Sequence, residues 1–213
     1  MNRSKGSLIF TVLVLALALS SLASATTITN FTWSLSSSDP TQLGRLSRNA
    51  IPQDWTGGEP YPGVINPTTS YHYRTVTIPW YLFVYDSGDF AKYVQIEVDS
   101  TAATTFASAY LNSYDSTNLA LNWLGDPGTS GDSFPNDTLF FQVLLGNPGD
   151  SLVIVMNEST INGGLNLPMT VNVEAFTDTM YTDPAGAPVP EPASMVLLGS
   201  GLVAPWLRKR FKK

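Results

Sequence analysis

The chain has 213 residues, 43% of them apolar and 13% charged, with a formal net charge of −6, one histidine and no cysteine. Lack of cysteine excludes thiol chemistry, disulfide staples and thiolate metal sites, and a single histidine excludes any site that needs two imidazoles. The length is right for one domain with a core of its own.

Arg3 and Lys5 precede a twelve-residue apolar run from Leu8 to Leu19, and Ala23-Ser24-Ala25 then supplies the small-x-small pattern that a signal peptidase cuts. Residues 1–25 read as a secretory leader for the export machinery, with the mature chain starting at Thr26. Twelve apolar residues are too few to span a bilayer, which argues against a permanent anchor. Between Thr26 and Pro192 only Arg45, Arg48, Arg74 and Lys92 oppose all seventeen acids of the chain, a net charge of −13. Such a body repels phosphate backbones and anionic lipid surfaces, so neither nucleic acid nor peripheral membrane attachment is expected, whereas divalent cations and neutral polymers are compatible with it.

The mature body, 26–177, reads as strands. Phe31, Trp33 and Leu35 alternate with Thr32 and Ser34, the period of a half-buried strand. Residues 36–69 are dense in Ser, Pro, Gly and Asn, and predict a long irregular excursion with at most one helical turn around Gln42 to Ser47. Tyr71 to Ile78 is strand-like, Pro79 breaks it before the apolar run Trp80 to Tyr85, and Asp86-Ser87-Gly88-Asp89 predicts a turn. Val94, Ile96 and Val98 face one way while Gln95, Glu97 and Asp99 face the other, which suits an antiparallel sheet wet on one side. Phe106 to Leu111 and Leu119 to Leu124 are further short candidates. Leu139 to Leu145 and Leu152 to Met156, with Gly146 to Asp150 between them, predict a hairpin. Met169, Val171, Val173 and Ala175 close the pattern. With no helical apolar period in the body, the expected fold is all-β. It is an antiparallel β-sandwich or jelly roll, flanked by an N-terminal signal helix and a short C-terminal apolar helix.

After a linker over 178–188, the end of the chain has three parts: Val189-Pro190-Glu191-Pro192, an apolar run from Ala193 to Leu207, and the basic tail Arg208, Lys209, Arg210, Phe211, Lys212 and Lys213. Pro190 and Pro192 lack backbone N–H groups and fix φ, so the tripeptide stays extended and accessible. Fifteen apolar residues would span roughly 22 Å as a helix, short of the ~30 Å hydrocarbon core, and hold a membrane only transiently. A basic tail resists translocation, which leaves the body outside. This layout resembles the PEP-CTERM sorting signal of Gram-negative bacteria. The resemblance implies processing by the membrane transpeptidase exosortase at Pro190, Glu191 and Pro192, and delivery to the cell surface or beyond.

From Tyr71 to Phe176 the order of strands resembles pre-peptidase C-terminal β-sandwiches, through Tyr81 to Tyr85, Leu119-Ala120-Leu121, Gly149 to Val155 and Leu167 to Val173. Where that family has Gly-x-Tyr, this chain has Gly149-Asp150-Ser151. The resemblance implies a non-catalytic module concerned with adhesion or secretion.

Candidate chemistry is sparse. His72, between two tyrosines, has no Gly-x-Ser-x-Gly elbow to serve, and Gly128-Thr129-Ser130-Gly131 has the wrong spacing. Asp86/Asp89 and Asp132/Asp137 sit in turn contexts where carboxylates cap N–H groups. Asp126 to Asp137 has acids at the first and twelfth positions of a calcium loop and Gly at the sixth, but Gly128 replaces the third ligand, and a glycine-rich turn accounts for it as well. Trp55 and Tyr61, in the excursion, either stack on a sugar ring or fold back over the sandwich. Asn30, Asn136 and Asn157 start glycosylation sequons that carry little weight in a bacterium. The reading is an exported, non-enzymatic protein of the cell surface or extracellular polysaccharide matrix, with no cofactor and with polysaccharide as a candidate partner. The rival is a secreted glycoside hydrolase working through carboxylates.

Overall fold

The computed structural model describes residues 26–85, 88–100, 103–130 and 139–177. The strands are β1 (Thr26–Ser34), β2 (Thr41–Leu46), β3 (Val64–Ile78), β4 (Tyr93–Ser100), β5 (Thr105–Leu111), β6 (Trp123–Gly125), β7 (Leu139–Leu144), β8 (Leu152–Glu158) and β9 (Pro168–Phe176). They form two antiparallel sheets, ordered β1-β9-β4-β7 and β2-β3-β8-β5-β6, packed as a β-sandwich. The expected terminal helices lie outside the described residues.

Alternation in the sequence becomes burial in the structure. Val94, Ile96 and Val98 lie opposite Ala175, Val173 and Val171 on one inner wall, and Ile154, Met156, Ala107 and Ala109 form the other. Burying each larger side chain contributes about 1.5–3 kcal/mol. β8 is buried along its whole length, and this overturns the expected hairpin. β7 pairs with β4 in one sheet, whereas β8 lies between β3 and β5 in the other. A strand apolar on both faces needs two partners and two covers, which a lone hairpin with β7 cannot supply.

The excursion over 36–69 is also more regular than its prolines suggest. Thr41 to Leu46 is a strand, not a helical turn, and 64–69 belongs to β3. β2 is an edge strand, where Gly and Pro are tolerated. Its register with β3 jumps between Leu43↔Ser70 and Arg45↔Ile65, with Gly44 at φ 75° and Asn66 at φ 51° taking the strain. A Cβ on Gly44 would sit 2.5 Å from Val64 Cγ1. Within the apolar run after Pro79, Trp80–Phe83 forms a 3₁₀ turn. Residues 119–122 form a turn, and only Trp123–Gly125 of the Leu119 to Leu124 neighbourhood pairs as strand.

Residues 47–63 act as a strap across the seam between β6 and β7. Gln53 N–H donates to Asp126 O (2.9 Å), Gln142 N–H donates to Gln53 O (2.8 Å), and Ala50 N–H donates to Gly128 O (2.9 Å). The strap thereby satisfies backbone groups at two sheet edges that would otherwise be open.

Candidate functional site

The outer face of each sheet carries a groove. On the four-stranded sheet, Glu97 and Asp99 of β4 point away from the core, opposite Asn172 and Thr170 of β9. Asn172 Nδ2 donates to Glu97 Oε2 (3.1 Å) and reaches Glu174 Oε1 at 3.5 Å. With Thr27 and Asn30 of β1, these side chains line a groove of 420 Å³. Glu97 and Asp99 are two residues apart on one strand, so their Cα atoms stand about 6.6 Å from each other.

On the five-stranded sheet, Tyr73, Thr75 and Thr77 of β3 and Val153 of β8 face outward. The segment Asn112, Ser113 and Tyr114 after β5 completes a groove of 280 Å³. The walls of the groove are held by the protein's own contacts. Tyr114 packs edge-on against Tyr73 (5.2 Å) and Tyr110 (4.8 Å), and its hydroxyl bonds Gln42 Oε1. Asn112, at φ 61°, accepts from Ser151 N–H (2.7 Å) and donates to Asp150 Oδ1 (3.1 Å). Burial pushes the Tyr110 and Tyr114 hydroxyls above their ordinary pKa, so both are neutral groups at physiological pH.

A second buried layer lies beside this groove. Leu46, Phe106 and Leu119 form one cluster, packed by Tyr61, Tyr114 and Trp123. Asp126 enters it at 3% exposure. Its Oδ1 accepts the Gly128 N–H (2.8 Å), while Oδ2 has no hydrogen-bond partner. Arg45 Nε, Tyr61 OH, Ser108 Oγ and Trp123 Nε1 are likewise buried and unpaired among the described residues. Burial pushes the Asp126 pKa up to about 6; the Gly128 N–H, and the Trp123 indole facing it from outside hydrogen-bond geometry, pull the other way. Gly128, at φ 69°, packs so tightly that a Cβ would lie 2.4 Å from Ile51 N. The first candidate calcium ligand is thus a turn cap turned into the interior; Asp132 and Asp137 lie outside the described residues.

Trp55 folds back. It is 8% exposed, its indole donates to Val94 O (3.1 Å), and it packs edge-on against Tyr93 and Phe176. Tyr61 is half-buried against Trp123. Trp55 therefore folds back over the sandwich, the second of the two expected arrangements, while Tyr61 keeps a partly exposed ring. His72 Nδ1 pairs with Glu158 Oε2 (3.0 Å), an oxygen that also accepts the His72 backbone N–H (3.1 Å). The pair ties β3 to β8 across 86 residues of sequence. Asp89 is exposed and Asp86 lies outside the described residues. Asn157 is buried and donates to Glu158 O (2.7 Å), which closes that sequon; Asn30 faces the four-stranded groove and Asn136 is outside the described residues.

The residues of the groove on the five-stranded sheet were not singled out from the sequence. Tyr73, Thr75 and Thr77 share the period of a strand, and that alternation was the available signal; Asn112 and Tyr114 come from a loop with none.

Residues 188–210 match the family described as the PEP-CTERM protein-sorting motif. No curated protein matches the chain. The match lies in the tail, and neither the family match nor any curated protein supports the expected resemblance of the body to pre-peptidase sandwiches. The chain carries a sorting signal, with exosortase as its processing partner, and is an exported protein directed to the cell surface. Pro190, Glu191, Pro192, the basic residues Arg208, Lys209, Arg210, Lys212 and Lys213, and Ala23 and Ala25 of the expected leader all lie outside the described residues. Among the described residues no helix is long and apolar enough to cross a membrane.

Proposed function

We propose that the body is a non-catalytic module that binds neutral polysaccharide at the cell surface or in the extracellular matrix, and that the C-terminal tag delivers it there. The observation that carries this reading is the groove on the five-stranded sheet. Tyr73 and Tyr114 border the hydroxyls of Thr75 and Thr77 and the amide of Asn112 in a space of 280 Å³, and aromatic rings beside short polar groups are the chemistry that recognises a sugar ring's apolar face and its hydroxyls. The acidity of the body favours an uncharged ligand. Isothermal titration with soluble neutral glucans, xylans and matrix polysaccharide from an exosortase-bearing host tests it. Wild type should bind at least one class, and Thr75→Arg, which fills the groove from an exposed position, should weaken binding more than about tenfold. Equal binding by the variant, or none by wild type, overturns the reading.

A second reading, a carboxylate-dependent glycoside hydrolase, is favoured by Glu97 and Asp99 side by side over the 420 Å³ groove. Turnover on a glycoside panel that is lost in Glu97→Gln or Asp99→Asn would replace the first reading with this one.

A further inference from the structure

The 3₁₀ turn after β3 exposes three consecutive large apolar side chains, Trp80 at 46%, Tyr81 at 60% and Leu82 at 41%. Single exposed apolar residues are ordinary, but a contiguous run marks a contact surface. The turn is also fixed in place. Phe83 is fully buried beneath it, Leu82 N–H donates to Pro79 O (3.1 Å), and Ala91 N–H donates to Phe83 O (2.8 Å). Trp80 and Tyr81 meet edge-on at 6.2 Å, so the two rings present one amphipathic surface.

Strand register says where that surface lies. β1 begins at Thr26, opposite Ala175, and β9 ends at Phe176, opposite Tyr93. Tyr85, two residues past the turn, donates its hydroxyl to Ala175 O (2.9 Å). The chain therefore enters the body from its leader and leaves toward its tag at the rim that carries Trp80, Tyr81 and Leu82. Only sixteen residues separate Phe176 from Ala193, where the apolar segment of the tag begins, and even fully extended they reach at most about 55 Å.

We infer that this rim of the sandwich rests on the lipid surface while the apolar segment of the tag holds the chain in the bilayer, with Trp80, Tyr81 and Leu82 set at the headgroup level. Trp and Tyr are the side chains that suit that depth, because each has an apolar body and one polar edge. Lys92, exposed at the same rim with Nζ 5.0 Å from the Tyr93 ring centroid, offers a cation to the headgroup phosphates. The acidity of the body weakens attraction to anionic lipid, so the surface in question is zwitterionic. A short tether raises the effective concentration of the turn at the surface to about millimolar, enough for a contact too weak to hold the free body. Cutting the tag removes the tether, and the contact ends with it.

The chain has no cysteine, so one introduced thiol is a unique reporter. Leu82→Cys and Ile161→Cys, each carrying a polarity-sensitive fluorophore, would be made in the leader-cleaved chain and reconstituted into phosphatidylcholine vesicles with and without brominated acyl chains. Ile161 is the control, since it is 56% exposed in the turn between β8 and β9 at the opposite end. The label at 82 should shift to the blue and lose at least about half its emission to the brominated lipid, while the label at 161 changes little. Adding Trp80→Ser and Tyr81→Ser should abolish the quenching at 82 without releasing the chain from the vesicles. Equal quenching at 82 and 161, or quenching unchanged by the double serine variant, overturns the inference. A shift at 82 that appears only with the processing enzyme in the vesicle, and without lipid quenching, also overturns it and assigns the turn to a protein partner.

Discussion

Asp126→Asn should stabilise the protein at neutral pH, by roughly half as much at pH 5, and hardly at all below about pH 4. The carboxyl is 3% exposed, and burial raises its pKa from 3.8 to about 6. An acid whose folded pKa is raised binds its proton more tightly when folded, so its contribution is most favourable at low pH and is lost as pH rises from about 4 to above 6. At about 1.36 kcal/mol per pKa unit, the ionised carboxylate costs the fold about 3 kcal/mol at pH 8, to order of magnitude. Asparagine keeps an acceptor for the Gly128 N–H and removes the charge. Its new Nδ2 donor faces the Trp123 indole N–H, so part of the gain is forfeited, and a net gain of about 1–3 kcal/mol is expected. Chemical denaturation of the leader-cleaved wild type and variant at pH 5 and pH 8, followed by tryptophan fluorescence, measures both values. The gap between the two proteins should widen from pH 5 to pH 8. A gap that is the same at both pH values would show that the carboxyl does not titrate in this window, and would refute the reasoning.

Three further outcomes follow from the packing and the tag. Trp55→Ala empties the contact with Tyr93 and Phe176 and removes the bond to Val94 O, and should cost about 3–5 kcal/mol in urea denaturation while polysaccharide binding per folded molecule is unchanged. Gly128→Ala drives a Cβ against the Ile51 backbone at a φ of 69° and should cost more than about 2 kcal/mol, measured the same way. Replacing Pro190, Glu191 and Pro192 by Ala, in a host with an exosortase, should leave full-length protein in the membrane fraction, whereas changing the five basic residues of 208–213 to Gln should let unprocessed chain pass through; mass spectrometry that finds Lys213 intact on wild type would argue for a simple tail anchor instead.

Features that depend on neighbours in the chain were legible in the sequence. The tripartite tail and the acidity of the body are local arrangements of charge and hydropathy. The all-β class followed from alternation such as Val94, Ile96 and Val98, because a strand's two faces are written into adjacent residues. Partnership was not legible, since it depends on contacts between residues far apart. β7 and β8 look like a hairpin, yet they enter different sheets because β8, apolar on both faces, is stabilised most at the centre of one. The same competition for burial draws Trp55 out of a Pro- and Gly-rich strap onto Tyr93 and Phe176, and turns Asp126 from a candidate calcium ligand into an interior cap. It joins His72 to Glu158 across 86 residues. It also strands Trp80, Tyr81 and Leu82 on the surface. In the sequence that run is only apolar, and it is the turn that buries Phe83 while leaving its three predecessors in solvent that decides which of its side chains are exposed.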